Sequence, residues 1–409
     1  MNEVRIVQQP ITRSSPARVG VASAVQRQRG MTLVELMVAL LLGLVTTYFI
    51  SQVFAVAEGQ KRTATFGSDA QVNGAVALDT LRRHVMSSGY GVVSAPSALG
   101  CPITGHYGSG GGSAAPSMTL APLVITPGIS ASAPSDKVTV MTSTKTSFSA
   151  PVRTFAKHEA SDPYASFVVV EGSSHGVKNN DTILVVPTDW NATTKCLLLT
   201  VKEDTSAPNT TLSRTRIPHV AAPSASSWNA GPSTDWPATG FDSSSLIVNF
   251  GNPRKMDFYV NGDTFQVDTW LQDAGGTEAL NSGIVLLKAL YGRDTDGNGT
   301  VDVYDTTTPT DNATWRNVLA VRLVMVARSG QRERDEVTTA EPKWSVGGGP
   351  AVTYDAYPGS RTTCAAGTTA CDVPLPVSQL SDWKHYRYRV FDTAVQVRNL
   401  MWNAEEGTP

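Results

Sequence analysis

Gly30-Met31-Thr32-Leu33-Val34-Glu35-Leu36, followed without a break by MVALLLGLVTTYFISQVFAV from Met37 to Val56, is the stretch that decides the architecture. Between Leu36 and Ala57 there is no charged side chain. At ~1.5 Å rise per residue, a helix over this run crosses the ~30 Å hydrocarbon core of a bilayer. The expectation is a membrane helix. An ordinary secretory signal places a short apolar core directly after its basic region and ends at a small-residue cleavage site. Here the order differs. Gln26-Arg27-Gln28-Arg29 ends at Gly30, an interval containing Glu35 intervenes, and no small-residue site follows the apolar run. Cleavage beyond Val56 is not expected.

Upstream, Met1 to Gly30 holds five arginines (Arg5, Arg13, Arg18, Arg27 and Arg29) against one acid, Glu3. Without that segment the chain has 28 Lys and Arg against 34 Asp and Glu. A mildly acidic body with no basic run lacks the electrostatic footprint that a phosphate backbone requires, so nucleic acid is not an expected partner. With 409 residues, the chain has room for two average domains or for one large β-rich head on an extended element. Only 17% of residues are charged. Ser, Thr, Gly and Pro take the place of charge, which favours strands and loops.

The segment Gly30 to Leu36 resembles the type III signal of type IV prepilins and of type II secretion pseudopilins. The resemblance implies a leader over 1–30, a membrane peptidase that cuts between Gly30 and Met31 and N-methylates Met31, and Glu35 as the fifth residue of the mature chain. Family members usually begin with Phe where this chain has Met31. A lone carboxylate at the head of a membrane helix needs a partner. Cleavage creates one in the α-amino group of Met31, in the same chain or in a neighbour one step away, and that pairing would set register during assembly. The alternative is an interfacial Glu35 on an uncleaved anchor flanked by Arg27 and Arg29.

Beyond Val56 the helical period continues. Phe66, Ala70, Gly74, Leu78, Leu81 and Val85 are spaced by three or four and share one face. Gly89 and Gly91 are stop signals. The expected helix runs from Met31 to about Ser88, with a transmembrane half over 31–57 and an amphipathic half over 58–91. From 92 to 409 the pattern is short β-rich runs between Gly, Pro, Asn and Asp, with no long helix. Candidate strands are Lys137 to Met141, Ser166 to Val170, Thr182 to Val186, Cys196 to Val201, Ser245 to Asn249, Met256 to Val260, Leu319 to Ala327 and Tyr386 to Val390. Gly108 to Ser113 is a Gly/Ser loop with no dinucleotide-binding helix behind it. About 206–244, rich in Ser, Pro, Ala and Trp, has the composition of a long loop. The fold class is α+β: a long N-terminal helix packed on a large β-rich head, as in type IV pilins.

Within the head, several stretches resemble the minor pilin PilW family. They are Glu171-Gly172-Ser173-Ser174-His175-Gly176 leading to Asn180-Asp181-Thr182 and then Cys196, Tyr291-Gly292 before an Asp-rich loop, Val321-Arg322-Leu323, and Tyr386-Arg387-Tyr388-Arg389-Val390-Phe391 to Arg398-Asn399. The resemblance implies a structural subunit that primes or joins type IV pilus assembly near the tip. Its partners would be other minor pilins, the major pilin, the prepilin peptidase, the inner-membrane assembly platform, and membrane lipid before assembly. The head would be periplasmic first and at the cell surface afterwards. A J-like minor pseudopilin of a type II secretion system shares the same plan, and a membrane-anchored adhesin or glycan-binding protein is the rival from another class.

The four cysteines are Cys101, Cys196, Cys364 and Cys371, with no CxxC pair and no His at metal-ligand spacing. An even count in an exported chain favours disulfides. Cys364 and Cys371 enclose a short Ala/Gly/Thr loop and are the expected pair, which leaves Cys101 with Cys196; four reduced, buried thiols are the alternative.

Asp294, Asp296, Asn298, Thr300, Asp302 and Asp305 fall at positions 1, 3, 5, 7, 9 and 12 of a twelve-residue calcium loop, with Gly299 at position 6. Asp305 stands where a bidentate Glu is usual, and the flanks are strand-like. Calcium is therefore the one candidate cofactor, and a metal-free Asp/Gly/Asn turn is the alternative.

No catalytic residue emerges. His84, His106, His158, His175, His219 and His385 are scattered, with no HExxH or HxH. Ser173 and Ser174 beside His175 are neighbours in sequence only, whereas a nucleophile-base pair is defined by geometry. Trp228, Trp236 and Trp270 are candidates for a glycan surface or, more ordinarily, for strand packing. An enzyme is not expected.

Overall fold

The structure is a computed structural model that describes residues 30–108, 113–115, 118–145, 150–159, 166–220, 227–229, 235–270 and 276–400, without the side chains of 62–66. The basic leader, the Gly/Ser loop core, the Phe66 side chain and parts of 206–244 lie outside them. The chain divides into two compact units, Met1–Arg62 and Thr63–Pro409.

Helix α1, Leu33–Ser87, is 55 residues long. In the first unit the helix is exposed on every side and carries no charged residue between Leu36 and Ala57. The span Leu33–Lys61 has a mean hydropathy of 2.2 and none of its most apolar window is buried. In the second unit the helix is two-faced, with Ala70, Ala77, Leu81 and Val85 inside the core and Val72, Val76 and Arg83 outside. Gly74 and Leu78 are buried on the same side, on the face that the spacing predicts. The helix ends where Gly89 (φ 78°) and Gly91 (φ 68°) take left-handed conformations that only glycine adopts freely. The Gly89 N–H donates to the Met141 carbonyl at 2.7 Å, which ties the helix end to a strand.

The head is built on three main sheets. The first, of six strands, has the spatial order Met118–Thr119, Pro102–Thr104, Cys196–Thr200, Thr182–Val186, Leu246–Gly251 and Val152–Arg153. The second is wholly antiparallel, in the order Gly276–Ser282, Thr264–Trp270, Pro253–Asn261, Lys137–Ser143 and Leu123–Thr126. The third places Arg361–Cys364, Ala351–Asp355, Val303–Asp305, Ile284–Arg293, Val318–Arg328 and Tyr388–Gln396 side by side.

Helix α1 shares its core with the second and third sheets: Leu81 and Val85 belong to one cluster with Leu123, Val138, Phe258, Leu287, Leu323 and Val395. Opposite that cluster, the third sheet has a second core around Leu286, Leu290, Val324, Trp344 and Tyr354. The central strand Ile284–Arg293 is thus covered on both faces and buried at all but its last residue. Its Lys288 is fully buried, and the Nζ bonds the Asp136 carboxylate and the carbonyls of Pro134 and Ala356. A buried cation persists only with such complete pairing.

Several strands differ from their expected bounds. Ser166–Val168 is shorter because Val170 is exposed beyond the pairing with Arg216–Pro218. The last strand starts at Tyr388 and runs on to Gln396, paired along its length with Val318–Arg328. Pro253–Asn261 and Val318–Arg328 are longer at both ends than the apolar runs at their centres. The 206–244 stretch is not loop throughout: it contributes strand Arg216–Pro218 and buries Trp228, Trp236 and Phe241.

Candidate functional site

At the N-terminus, Thr32 caps α1: its Oγ1 accepts the Glu35 N–H at 3.2 Å, and its carbonyl accepts the Leu36 N–H at 3.1 Å. Glu35 therefore lies in the first turn, where a carboxylate complements the helix dipole. Along the apolar span the few polar side chains turn back on the helix. The Thr46, Thr47 and Ser51 hydroxyls donate to the carbonyls of Leu42, Gly43 and Tyr48 at 2.7, 2.7 and 2.8 Å. In a medium that offers no water, this self-satisfaction keeps the helix polar groups paired. Leu33 is 75% exposed and Phe54 70% exposed, an apolar surface of the kind that marks a membrane or protein contact.

The Asp-rich loop joins Ile284–Arg293 to Val303–Asp305. Carboxylate oxygens of Asp294, Asp296 and Asp302 lie within 4.8 Å of one another. Asp294 accepts the N–H groups of Gly297 and Gly299 at 2.7 Å and of Asn298 at 3.2 Å. Burial opposes ionisation of Asp294, but these bonds outweigh it and hold the carboxyl below its usual range. Bonds from the Thr295 N–H and hydroxyl hold Asp302 low as well. Asn298 Nδ2 donates to Asp296 at 2.9 Å, and its Oδ1 accepts the Thr300 N–H at 2.7 Å.

Three carboxylates around one point form a hard-oxygen donor set of the kind a divalent cation takes. The structure departs from the twelve-residue reading at position 12. Asp305 is drawn into an ion pair with Arg293 and also accepts the Thr307 N–H at 2.8 Å. The cause is the strand that follows the loop: its register sets Arg293 opposite Val303 and Tyr291 opposite Asp305, whereas position 12 is ordinarily delivered by a helix.

The four cysteines form two disulfides, Cys101–Cys196 and Cys364–Cys371. The first joins the start of the head to strand Cys196–Thr200, 95 residues apart. The Ser173 hydroxyl donates to Val170 O and that of Ser174 to Ser213 O, both at 2.6 Å, so neither is aimed at His175. Trp228 and Trp236 are buried, which removes them from a glycan surface; Trp270 alone of the three is 46% exposed.

Two groupings had no signal in the sequence. His106 Nδ1 meets Asp235 Oδ2 at 2.5 Å while Thr104 donates to Asp235 Oδ1, residues more than a hundred positions apart. His158 and His219 pack with Phe167, Trp236 and Phe241 in one buried aromatic cluster. Neither places a nucleophile beside a base.

Set against known families, residues 25–47 match the prokaryotic N-terminal methylation motif, and residues 262–399 match the type IV pilus-assembly protein W family, PilW. The PilW match covers about a third of the chain, and over those residues the chain is similar to that family. The PilW match begins in the second sheet and takes in the whole third sheet and the Asp-rich loop, while the Glu171-to-Cys196 stretch lies outside it. A type IV-like pilin from Thermus thermophilus is a similar solved structure, at 11% identity and a TM-score of 0.29, over 80% of this chain and 94% of its own. No curated protein sequence matches.

Proposed function

We propose that this chain is a PilW-type minor pilin that primes or joins type IV pilus assembly near the tip, with a structural and not a catalytic role. The observation that carries the reading is the methylation motif joined to an exposed apolar helix whose first turn holds Glu35. The helix keeps the subunit in the inner membrane, head on the periplasmic side, until extraction. Cleavage after Gly30 by the prepilin peptidase frees the Met31 α-amine, which pairs with Glu35 of the same or a neighbouring subunit and sets register. The head selects its neighbours among other minor pilins and the major pilin, on the assembly platform, and ends at the cell surface. A calcium ion held by Asp294, Asp296 and Asp302 would staple the loop in an extracytoplasmic medium rich enough in calcium for a weak site.

The test is Glu35→Ala in a cell with its own pilus genes. Loss of pili, with the head still exported and folded, is the expected result; normal piliation contradicts the assembly role. Normal piliation with a loss of type II secretion moves the chain to the pseudopilins.

A further inference from the structure

Within the head, a groove of about 530 Å³ lies among Arg82 and Met86 of α1, Val301 of the Asp-rich loop, Leu319 and Val395 of two paired strands, and Arg398. That volume falls within the ~300–1,000 Å³ of sites that accept a ligand. Leu319 and Val395 are buried, and Met86 and Val301 half-buried, so they form an apolar floor. Both charged residues of the lining are arginines, and among the described residues no acid lines it. Arg82 contacts Asp79 at 3.3 Å in an exposed pair on its own helix, an interaction that is readily exchanged. Arg398 has no ion pair among the described residues. Two guanidiniums beside an apolar floor suit carboxylates flanked by apolar side chains, because each planar fork takes a carboxylate bidentately while the floor covers the neighbouring residues.

We propose that this groove docks an acidic segment of a neighbouring prepilin-type subunit, its apolar side chains on the floor and its carboxylates on Arg82 and Arg398. The inference rests on the subunit role proposed above and adds the chemistry of the partner. Charge at such a rim selects the partner and orients its approach more than it adds affinity.

The experiment uses the full chain, with a photo-crosslinking amino acid in place of Gln396 on the groove wall, expressed in a cell with its own pilus genes. Irradiation and peptide mapping are expected to give an adduct on an Asp- or Glu-containing segment of another prepilin-type subunit. Charge reversal by Arg82→Glu with Arg398→Glu is expected to lower its yield about tenfold or more, while disulfide content and thermal unfolding stay unchanged. The proposal is overturned by no adduct, by one confined to residues 401–409 of the same chain, by one on a segment without acids, or by a yield indifferent to charge reversal. If these arise in cells where the chain is cut after Gly30 and built into pili, only the groove assignment fails. If cutting and incorporation are absent, the subunit role fails with it.

Discussion

Phe391 occupies the space that a side chain on Gly74 would need: a Cβ built at Gly74 would stand 2.2 Å from Phe391 Cε2. Helix α1 therefore closes onto the last strand of the third sheet through a glycine, although glycine in a helix interior costs about 1 kcal/mol relative to alanine. Gly74→Ala recovers that propensity but overpacks against the ring, at about 1–3 kcal/mol. The expected net is a loss of about 1 kcal/mol in thermal unfolding of the detergent-solubilised chain. With Phe391→Ala in place, Gly74→Ala becomes neutral or stabilising. An equal effect in both backgrounds would show that the ring does not set the spacing.

The two disulfides close loops of very different length. In the chain-entropy account a 95-residue separation is worth about 4–5 kcal/mol and a 7-residue one about 2. Replacing Cys101 and Cys196 together by Ser is expected to lower stability about twice as much as replacing Cys364 and Cys371. The comparison is read from the two unfolding curves; the reverse order would place the main staple in the third sheet.

His84 gives the head a pH dependence. Its ring packs 4.9 Å from that of Phe258. Burial foremost, then Arg83 and Arg254, lowers its pKa from the ordinary 6.5. A base with a depressed pKa in the folded state is charged more readily in the unfolded one. Its contribution is therefore complete above about pH 6.5 and is lost as the pH falls toward the folded-state value. Unfolding temperature should decline on acidification below 6.5, with a shallower decline in His84→Gln. Identical slopes in the two proteins would exclude His84 as a source.

Calcium binding separates the loop readings. Calorimetry on the solubilised protein is expected to give a weak site, with a Kd of about 0.1–1 mM. Asp294→Ala or Asp296→Ala should weaken it at least about tenfold, since each removes a charged ligand. Asp305→Ala should leave it nearly unchanged, because Arg293 already holds that carboxylate. Abolition by Asp305→Ala would restore the full twelve-residue reading.

What was legible in the sequence follows from how local each signal is. Helix α1 announced itself through an unbroken apolar run and a 3.6-residue period, and it stops at the glycines that were its stop signals. Strand Ile284–Arg293 was not among the candidate strands although it is central. A strand buried on both faces shows no alternation, and Lys288 in its middle looks like a surface residue until Asp136, 152 positions away, is found against it. That Asp294, Asp296 and Asp302 gather in one cluster was legible because all three fall within nine residues. The diversion of Asp305 was not, because it depends on cross-strand register. Trp228 and Trp236 lay in a stretch whose composition spoke for loop, and only the fold of distant strands over them decides their burial.

The most direct measurement is the intact mass and N-terminal sequence of the protein recovered from membranes of a cell carrying its own prepilin peptidase. A chain that begins at N-methylated Met31 is the result this account predicts. An uncleaved chain, or one cut beyond Val56, would contradict it and return the protein to the anchored or secreted classes.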